Sequence, residues 1–450
     1  MSNSLPTKEK YLIIGAGPVG LGYAKALKEA EMPYDHIDAS TEVGGNWFHG
    51  TYETAHIISS RKITEYSDYP MPKHYPDFPS KQMMLDYYID YANTFGLRER
   101  VEFQRKVIYI RPIENDRWEV TFANQEVRIY KAVLVCNGHH WCKRFPEYPG
   151  KFTGEFIHSK DYKRPDQLIG KRVLVIGAGN SACDIASEAA RVSKSSHISM
   201  RSGAWFFPKT VFGRPLADLS ESVKVPLFVQ RIILRFLLKM SVGTYKDYGL
   251  PKPNYKIFER HPTISSEVLH YMKHGRITYK PAIKRLDGKT VEFVDGSKGE
   301  FDMIVAATGY HVSYPFLPDE LQRVEGPVVK VYGGSMLDTY KGLYLIGWAQ
   351  PRGGVGSLVA PSSKLMAKLI KLQDEMQNPL GFVLKQSGDK LPTTHLFDPN
   401  DLFKRIRQAN KRIGLLRSFS KRVDKKHPNF QNTPLPPPPE SIFEKEMVVF

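Results

Sequence analysis

Cysteine is scarce in this chain: Cys136, Cys142 and Cys183 are the only three in 450 residues. That excludes a disulfide framework, and no pair has CxxC spacing, which argues against a dithiol flavin reductase. No uninterrupted apolar run approaches the ~18 residues of a membrane span. The first ten residues, Met1 to Lys10, lack the apolar core of a signal peptide. These absences predict a reducing, cytoplasmic setting. Acids are the minority, 47 against 64 Lys and Arg, for a formal net charge of +17. Part of that excess suits polyanionic cofactors, and part is a run of ten cations between Lys404 and Lys426. No nucleic-acid motif accompanies the run, so nucleic acid is not an expected partner; a solvated surface helix is the simpler reading. No Ser-His-Asp constellation is evident, and His139 and His140 lack the Cys partners and spacing of a zinc site. No metal is expected.

Two glycine fingerprints are present. The first is Lys10-Tyr-Leu-Ile-Ile-Gly15-Ala-Gly17-Pro18-Val-Gly20 and the second Arg172-Val-Leu-Val-Ile-Gly177-Ala-Gly179-Asn180-Ser181-Ala182. Each follows a short apolar run and opens a helical pattern. Such glycines permit a tight turn and close approach to a pyrophosphate, which rests on the helix N-terminus. Two of them mean two nucleotides, and so electrons passing between them. The residues that follow differ. Asp38 ends the second strand of the first unit, where an acid hydrogen-bonds a ribose hydroxyl. The corresponding strand of the second unit ends in Arg201-Ser202, where a guanidinium can hold a 2′-phosphate. The first site therefore fits FAD and the second NADPH.

Residues 81–97 carry a helical pattern ended by Gly96, 101–129 alternate like a β-meander, and 130–138 read as a buried strand. The second unit repeats the plan and returns along Asp302–Gly309, so Asn137-Gly138 and Thr308-Gly309 fall at parallel positions. A last strand follows at 342–347 and a helix at 362–376. The expected class is α/β, with two Rossmann-like dinucleotide-binding domains and the NADPH domain inserted into the FAD domain. Residues 1–165 and 305–428 form the FAD domain. Residues 166–304 form the NADPH domain, with a helical insertion about 205–270. Residues 429–450 form a Pro-rich tail, stiff or a linker.

Val225–Met240 is strongly apolar, but Arg231, Arg235 and Lys239 fall at four-residue spacing and make one basic stripe on a helix. At 16 residues it is short for a span. It either lies on a membrane surface or covers the cleft between domains with the stripe in solvent; the second reading is the favoured one.

Between the two units stands Phe152-Thr-Gly154-Glu-Phe-Ile-His158-Ser-Lys-Asp-Tyr162. It matches FxGxxxHxxx[YF], and with it the chain resembles the flavin-containing monooxygenases of class B. Val43-Gly44-Gly45-Asn46-Trp47, Asp68-Tyr-Pro70, Cys136-Asn-Gly-His-His140, His261-Pro262-Thr and Ala307-Thr-Gly-Tyr310 are similar to family segments, over roughly residues 8–375. The resemblance implies NADPH-dependent oxygenation of an amine nitrogen or a sulfide by O2, through a flavin hydroperoxide. Cofactor contacts then fall on Gly45, Asn46, Trp47, Asn137, Gly138, His158, Tyr162, Ser202, Thr308, Gly309 and Gln350, with His158 and Tyr162 as positioning groups in the interdomain linker. Tyr310 joins the expected catalytic set. The family's Asn, about ten residues before its Asp-aromatic-Pro segment, falls on Ile58, whose side chain has no amide. Either His56 or Ser59 takes that place, or peroxide protection is weak. The departure leaves Baeyer–Villiger oxygenation of ketones and a largely uncoupled NADPH oxidase as alternatives. Peripheral membrane contact and a homodimer stay open.

Overall fold

The computed structural model describes residues 6–222 and 225–443. Residues 1–5, part of the expected signal-free N-terminus, and 444–450, the end of the expected tail, lie outside the described residues.

Two five-stranded parallel sheets organise the chain. The first runs Leu343–Leu345, Ala132–Val135, Tyr11–Ile14, Tyr34–Ile37, Val101–Glu102. The second runs Glu155–His158, Met303–Ala306, Arg172–Ile176, Ser195–Ser199, Ile277–Lys280. Parallel strands are covered on both faces, so they read as continuous apolar runs. Leu12, Ile13, Val133 and Leu134 in one sheet, and Val173, Leu174, Ile304 and Val305 in the other, have no exposed surface. Each fully buried side chain of this size contributes about 1.5–3 kcal/mol. Helices Pro18–Glu29 and Gly356–Gln373 pack on each other beside the first sheet. Their axes come so close at Gly22 that an added Cβ would stand 2.0 Å from Val359.

Helix Lys81–Thr94 and the antiparallel meander Val107–Ile113, Arg117–Phe122, Val127–Tyr130 form where the patterns place them. Three expectations are corrected. Strand Glu155–His158, expected with the first unit, pairs with Met303–Ala306 in the second sheet; its own residues fit either neighbour. The 205–270 insertion is mixed rather than helical: it adds the paired strands Phe206–Phe207 with Thr263–Ile264 and the hairpin Thr210–Val211 with Arg214–Pro215. The late helix starts at Gly356, so Pro361 lies inside it. The sequence leaves the order of the Pro-rich tail open; its described start is docked on the meander. Asn432 N–H donates to Asp116 (2.7 Å), Leu435 N–H to the Pro112 carbonyl (3.1 Å), and the Arg111 guanidinium to the Leu435 carbonyl (2.8 Å).

Candidate functional site

The central strand of each sheet ends in a glycine turn. Gly15 has φ +102° and Gly177 φ +132°, where L side chains are strained. A Cβ on Gly15 would sit 2.5 Å from the Cys136 carbonyl oxygen, and one on Gly177 2.4 Å from that of Ala307. Both carbonyls belong to the chain leaving the adjacent strand. Asn137-Gly138 and Thr308-Gly309 therefore flank the two turns in the same way. The helices that follow start at Pro18 and Asn180, with Gly17 and Gly179 as N-caps and no side-chain cap on either. Their first N–H groups thus have no side-chain acceptor. A Cβ on Gly179 would meet nothing within 4 Å, and on Gly17 nothing nearer than Gly45 at 3.7 Å. Open space before an uncapped, electropositive helix end fits a pyrophosphate.

The charges beyond the turns are opposite. Asp38 follows strand Tyr34–Ile37; its carboxylate accepts from Ala16 N–H (2.6 Å) and from Ser40 N–H and Oγ (both 2.7 Å). It braces the glycine turn from the side of the ribose position. Arg201 follows strand Ser195–Ser199, is exposed, and has no hydrogen bond or ion pair among the described residues. Its charge reaches Tyr148. Next to it, Gly203 lies against Pro251, and Ser202 is half-buried. Trp205 turns away: its indole donates to the Tyr255 carbonyl (2.9 Å) and its ring lies under Arg235.

Between the units, Asn46 Nδ2 donates to the His140 carbonyl (3.1 Å), beside Gly45 and the half-buried Trp47. The Tyr310 ring lies 5.5 Å from His140 and 5.1 Å from His158. Burial raises the Tyr310 hydroxyl above its ordinary pKa. His139 bonds the Gly347 carbonyl (2.9 Å) through Nδ1, while its buried Nε2 has no partner in the structure. Burial holds His139 and His395 below the usual histidine range and pushes His261 down to about 4. Gln350 is tied to the chain near His395 through its backbone.

Several expected contact residues are already engaged. His158 is buried; Nδ1 accepts from Lys160 N–H (3.1 Å), which leaves Nε2–H to donate to the Gly309 carbonyl (3.0 Å). Tyr162 donates to Glu188. Asn180 is committed through its side chain to Pro262 and Ile264, Asn137 to the Ser313 carbonyl, and Thr308 Oγ1 to the Arg144 carbonyl. For these, only the main chain is free to face a ligand. At the position of the family's Asn, Ile58 is half-buried and Ser59 Oγ pairs with Thr64 (2.7 Å). His56 Nδ1 lies 3.3 Å from the Thr54 carbonyl, and its Nε2 lies 2.5 Å from Lys209 Nζ. With Nδ1–H donating to Thr54, Nε2 accepts from Lys209.

Sequence reasoning missed Lys209, Tyr52, Asp184 and Glu188. Asp184 and Glu188 stand one turn apart on helix Asn180–Val192, hence on one face. Tyr52 Oη donates to Asp184 (2.6 Å); Thr54 and Tyr162 both donate to Glu188. Burial raises both carboxyls above the ordinary range. These bonds clamp the 52–56 loop and the linker onto the second unit. Two acids four apart on a helix otherwise lined by alanine and isoleucine were the available signal.

Known proteins resemble the chain as follows. The model of a family described as flavin-binding monooxygenase-like matches residues 8–382. Flavin-containing monooxygenase 5 of Cavia porcellus is 30% identical over 419 residues, covering 82% of this chain and 78% of its own. Dimethylaniline monooxygenase [N-oxide-forming] 2 of Oryctolagus cuniculus is 30% identical over 357 residues, covering 72% and 66%. Among solved structures, OTEMO in complex with FAD and NADP superposes with TM-score 0.68 at 19% identity, over 82% of this chain and 85% of that one; at that identity the likeness concerns the fold.

Proposed function

Because this chain belongs to the flavin-binding monooxygenase-like family, we propose that it places one oxygen atom of O2 on a soft nucleophile, an amine nitrogen or a sulfide, at the expense of NADPH. FAD and NADPH are its cofactors. Together, when bound, they supply hydride transfer and oxygen activation; the chain supplies binding, orientation and a dry wall.

Gly15, Gly17, Pro18 and Gly20 cradle the FAD pyrophosphate, and Asp38 addresses the ribose. Gly45, Asn46, Trp47, Asn137 and Gly138 wall the same site. The turn Gly177–Ala182 cradles the NADPH pyrophosphate, and Arg201 with Ser202 takes the 2′-phosphate. His158 and Tyr162 act as positioning residues: through Gly309 and Glu188 they fix the linker against the second unit. His139, His261 and His395, held neutral by burial, keep charge off the reaction wall. The half-buried Ile58 contributes no hydrogen bond there, and His56 accepts from Lys209.

The observation that carries the reading is the pair of open glycine turns in one chain, one braced by an acid and the other followed by a partnerless arginine. The test is stoichiometric. The flavin-loaded protein is supplied with NADPH, O2 and either a tertiary amine or a thioether. N-oxide or sulfoxide equal to the NADPH consumed is the expected result. Ester formed from a ketone instead would establish ketone oxygenation. Hydrogen peroxide equal to NADPH, whatever the acceptor, would refute oxygen transfer and mark an uncoupled oxidase.

A further inference from the structure

We infer that helix Leu227–Ser241 docks this protein on the surface of an anionic lipid bilayer. The sequence suggested a helix hidden over a cleft, with its cations in solvent. The structure leaves Arg235 and Lys239 in solvent but exposes a row of apolar side chains beside them. Only Leu234 and Leu238 are buried, and they anchor the helix to a small cluster with Phe207, Val211 and Leu216. A cavity of about 240 Å³, lined in part by Trp205, Leu238 and Tyr245, lies against the helix. Facing outward are Phe228 (66% exposed), Ile232 (62%), Ile233 (39%), Phe236 (64%) and Met240 (72%). At 100° per residue these five share an arc of about 140°. Scattered exposed apolar residues need no explanation, but a contiguous row of large ones on one helix does. Phe212, 89% exposed, extends from the hairpin whose Val211 belongs to the same anchoring cluster.

Charge selects the occupant. The helix, LFVQRIILRFLLKMS, has no acid. Arg231 is held by the Ile257 carbonyl and lies near Glu259. Arg235 and Lys239 are exposed, and among the described residues neither has a carboxylate partner. On the helical wheel these two stand at one edge of the apolar arc. A second copy of this face would bring no acid to them, and two chains at +17 repel. A bilayer carrying anionic headgroups satisfies both parts: acyl chains take the aromatic and aliphatic row, and headgroups take the cations. The helix is about 22 Å long and cannot cross the ~30 Å hydrocarbon layer, so it lies in the interface plane.

The test is co-sedimentation of the flavin-loaded, full-length protein with phosphatidylcholine vesicles, with and without phosphatidylserine, at low and high salt. Binding that needs phosphatidylserine and fades with salt is expected. The triple variant Phe228→Ser, Ile232→Ser, Phe236→Ser should bind at least tenfold more weakly, with NADPH oxidation unchanged in the absence of vesicles. The double reversal Arg235→Glu, Lys239→Glu should lose more than tenfold, since each surface cation is worth roughly a fivefold gain. Reversal of Lys411 and Arg412, on helix Pro399–Lys426, should change binding less than twofold. Vesicle binding that ignores the triple variant, or that disappears with the Lys411 and Arg412 reversals, overturns the inference. So does a dimer in light scattering that the triple variant dissolves while vesicles bind neither protein; the face would then meet a second copy.

Discussion

Gly179→Ala separates ligand space from fold space. The added methyl meets no atom within 4 Å, and Gly179 is not in a positive-φ conformation. The folded chain should therefore accept it, the unfolded-state gain of about 0.4–1 kcal/mol from removing a glycine being offset by alanine's poorer fit at an N-cap. If a pyrophosphate rests on this helix end, the methyl stands in its place. Losing one charge-assisted backbone hydrogen bond, about 1.5–3 kcal/mol, weakens binding by roughly tenfold to a hundredfold. The comparison is Gly177→Ala, where the methyl would lie 2.4 Å from the Ala307 carbonyl at φ +132°. That variant should be destabilised by about 2–5 kcal/mol, from a backbone strain of ~1–2 and an overpacking cost of ~1–3. Differential scanning fluorimetry reads stability, calorimetric titration with NADP+ reads binding, and flavin absorbance reads FAD content. The expected pattern is an unchanged Tm and FAD content in Gly179→Ala with NADP+ binding at least tenfold weaker. Binding within twofold of the parent would refute the placement of NADPH at the second turn.

Other outcomes follow from the same geometry. Arg201→Ala should raise KM for NADPH ten- to a hundredfold and leave NADH kinetics unchanged, because a guanidinium–phosphate contact is worth about 1.5–3 kcal/mol; equal losses with both cofactors would contradict it. Gly17→Val should purify without flavin, since its branches enter the space bounded by Gly45 at 3.7 Å; a fully yellow protein would sink the assignment. Glu188→Ala removes the acceptor of both Thr54 and Tyr162 and should cost about 2–5 kcal/mol, read as a lower Tm, with Glu188→Gln recovering part of it. The pH profile of stability has a defined sign. His36, His139 and His261 are all held below the usual histidine pKa by burial, His261 at about 4. Their contribution is complete above about pH 6.5 and is lost as pH falls toward 4, because the unfolded chain then binds more protons. Tm should drop between about pH 6.5 and 4, less steeply in His261→Gln; a flat profile would disprove it.

The glycine turns were legible because much of their signature is local: an apolar strand, closely spaced glycines, and a helix start within six residues. The parallel strand ends at Asn137 and Thr308 were legible for the same reason. Partnerships across long loops were not. Nothing near Tyr52 names Asp184, 132 residues away, and nothing near His56 names Lys209, 153 away. Strand Glu155–His158 carries no mark of which sheet it joins, since a short parallel edge strand needs only an apolar register. Periodicity showed which residues of 225–240 share a face, but not which face turns inward; that is set by Phe207, Val211 and Leu216, which lie on other elements. The tail at 432–435 was opaque because its anchors, Arg111, Pro112 and Asp116, lie more than 300 residues away in the meander.

The insertion has a consequence for the order in which a nascent chain becomes solid. The second sheet is complete once residue 306 has emerged. The first began at Tyr11, yet lacks its edge strand until Leu345 and the helix covering Pro18–Glu29 until Gln373. At 5–20 residues per second, the earliest strand waits on the order of half a minute with its apolar flank open. The part encoded in the middle of the gene therefore finishes before the part encoded at its start, and a chaperone would find its longest opportunity at Tyr11–Glu29.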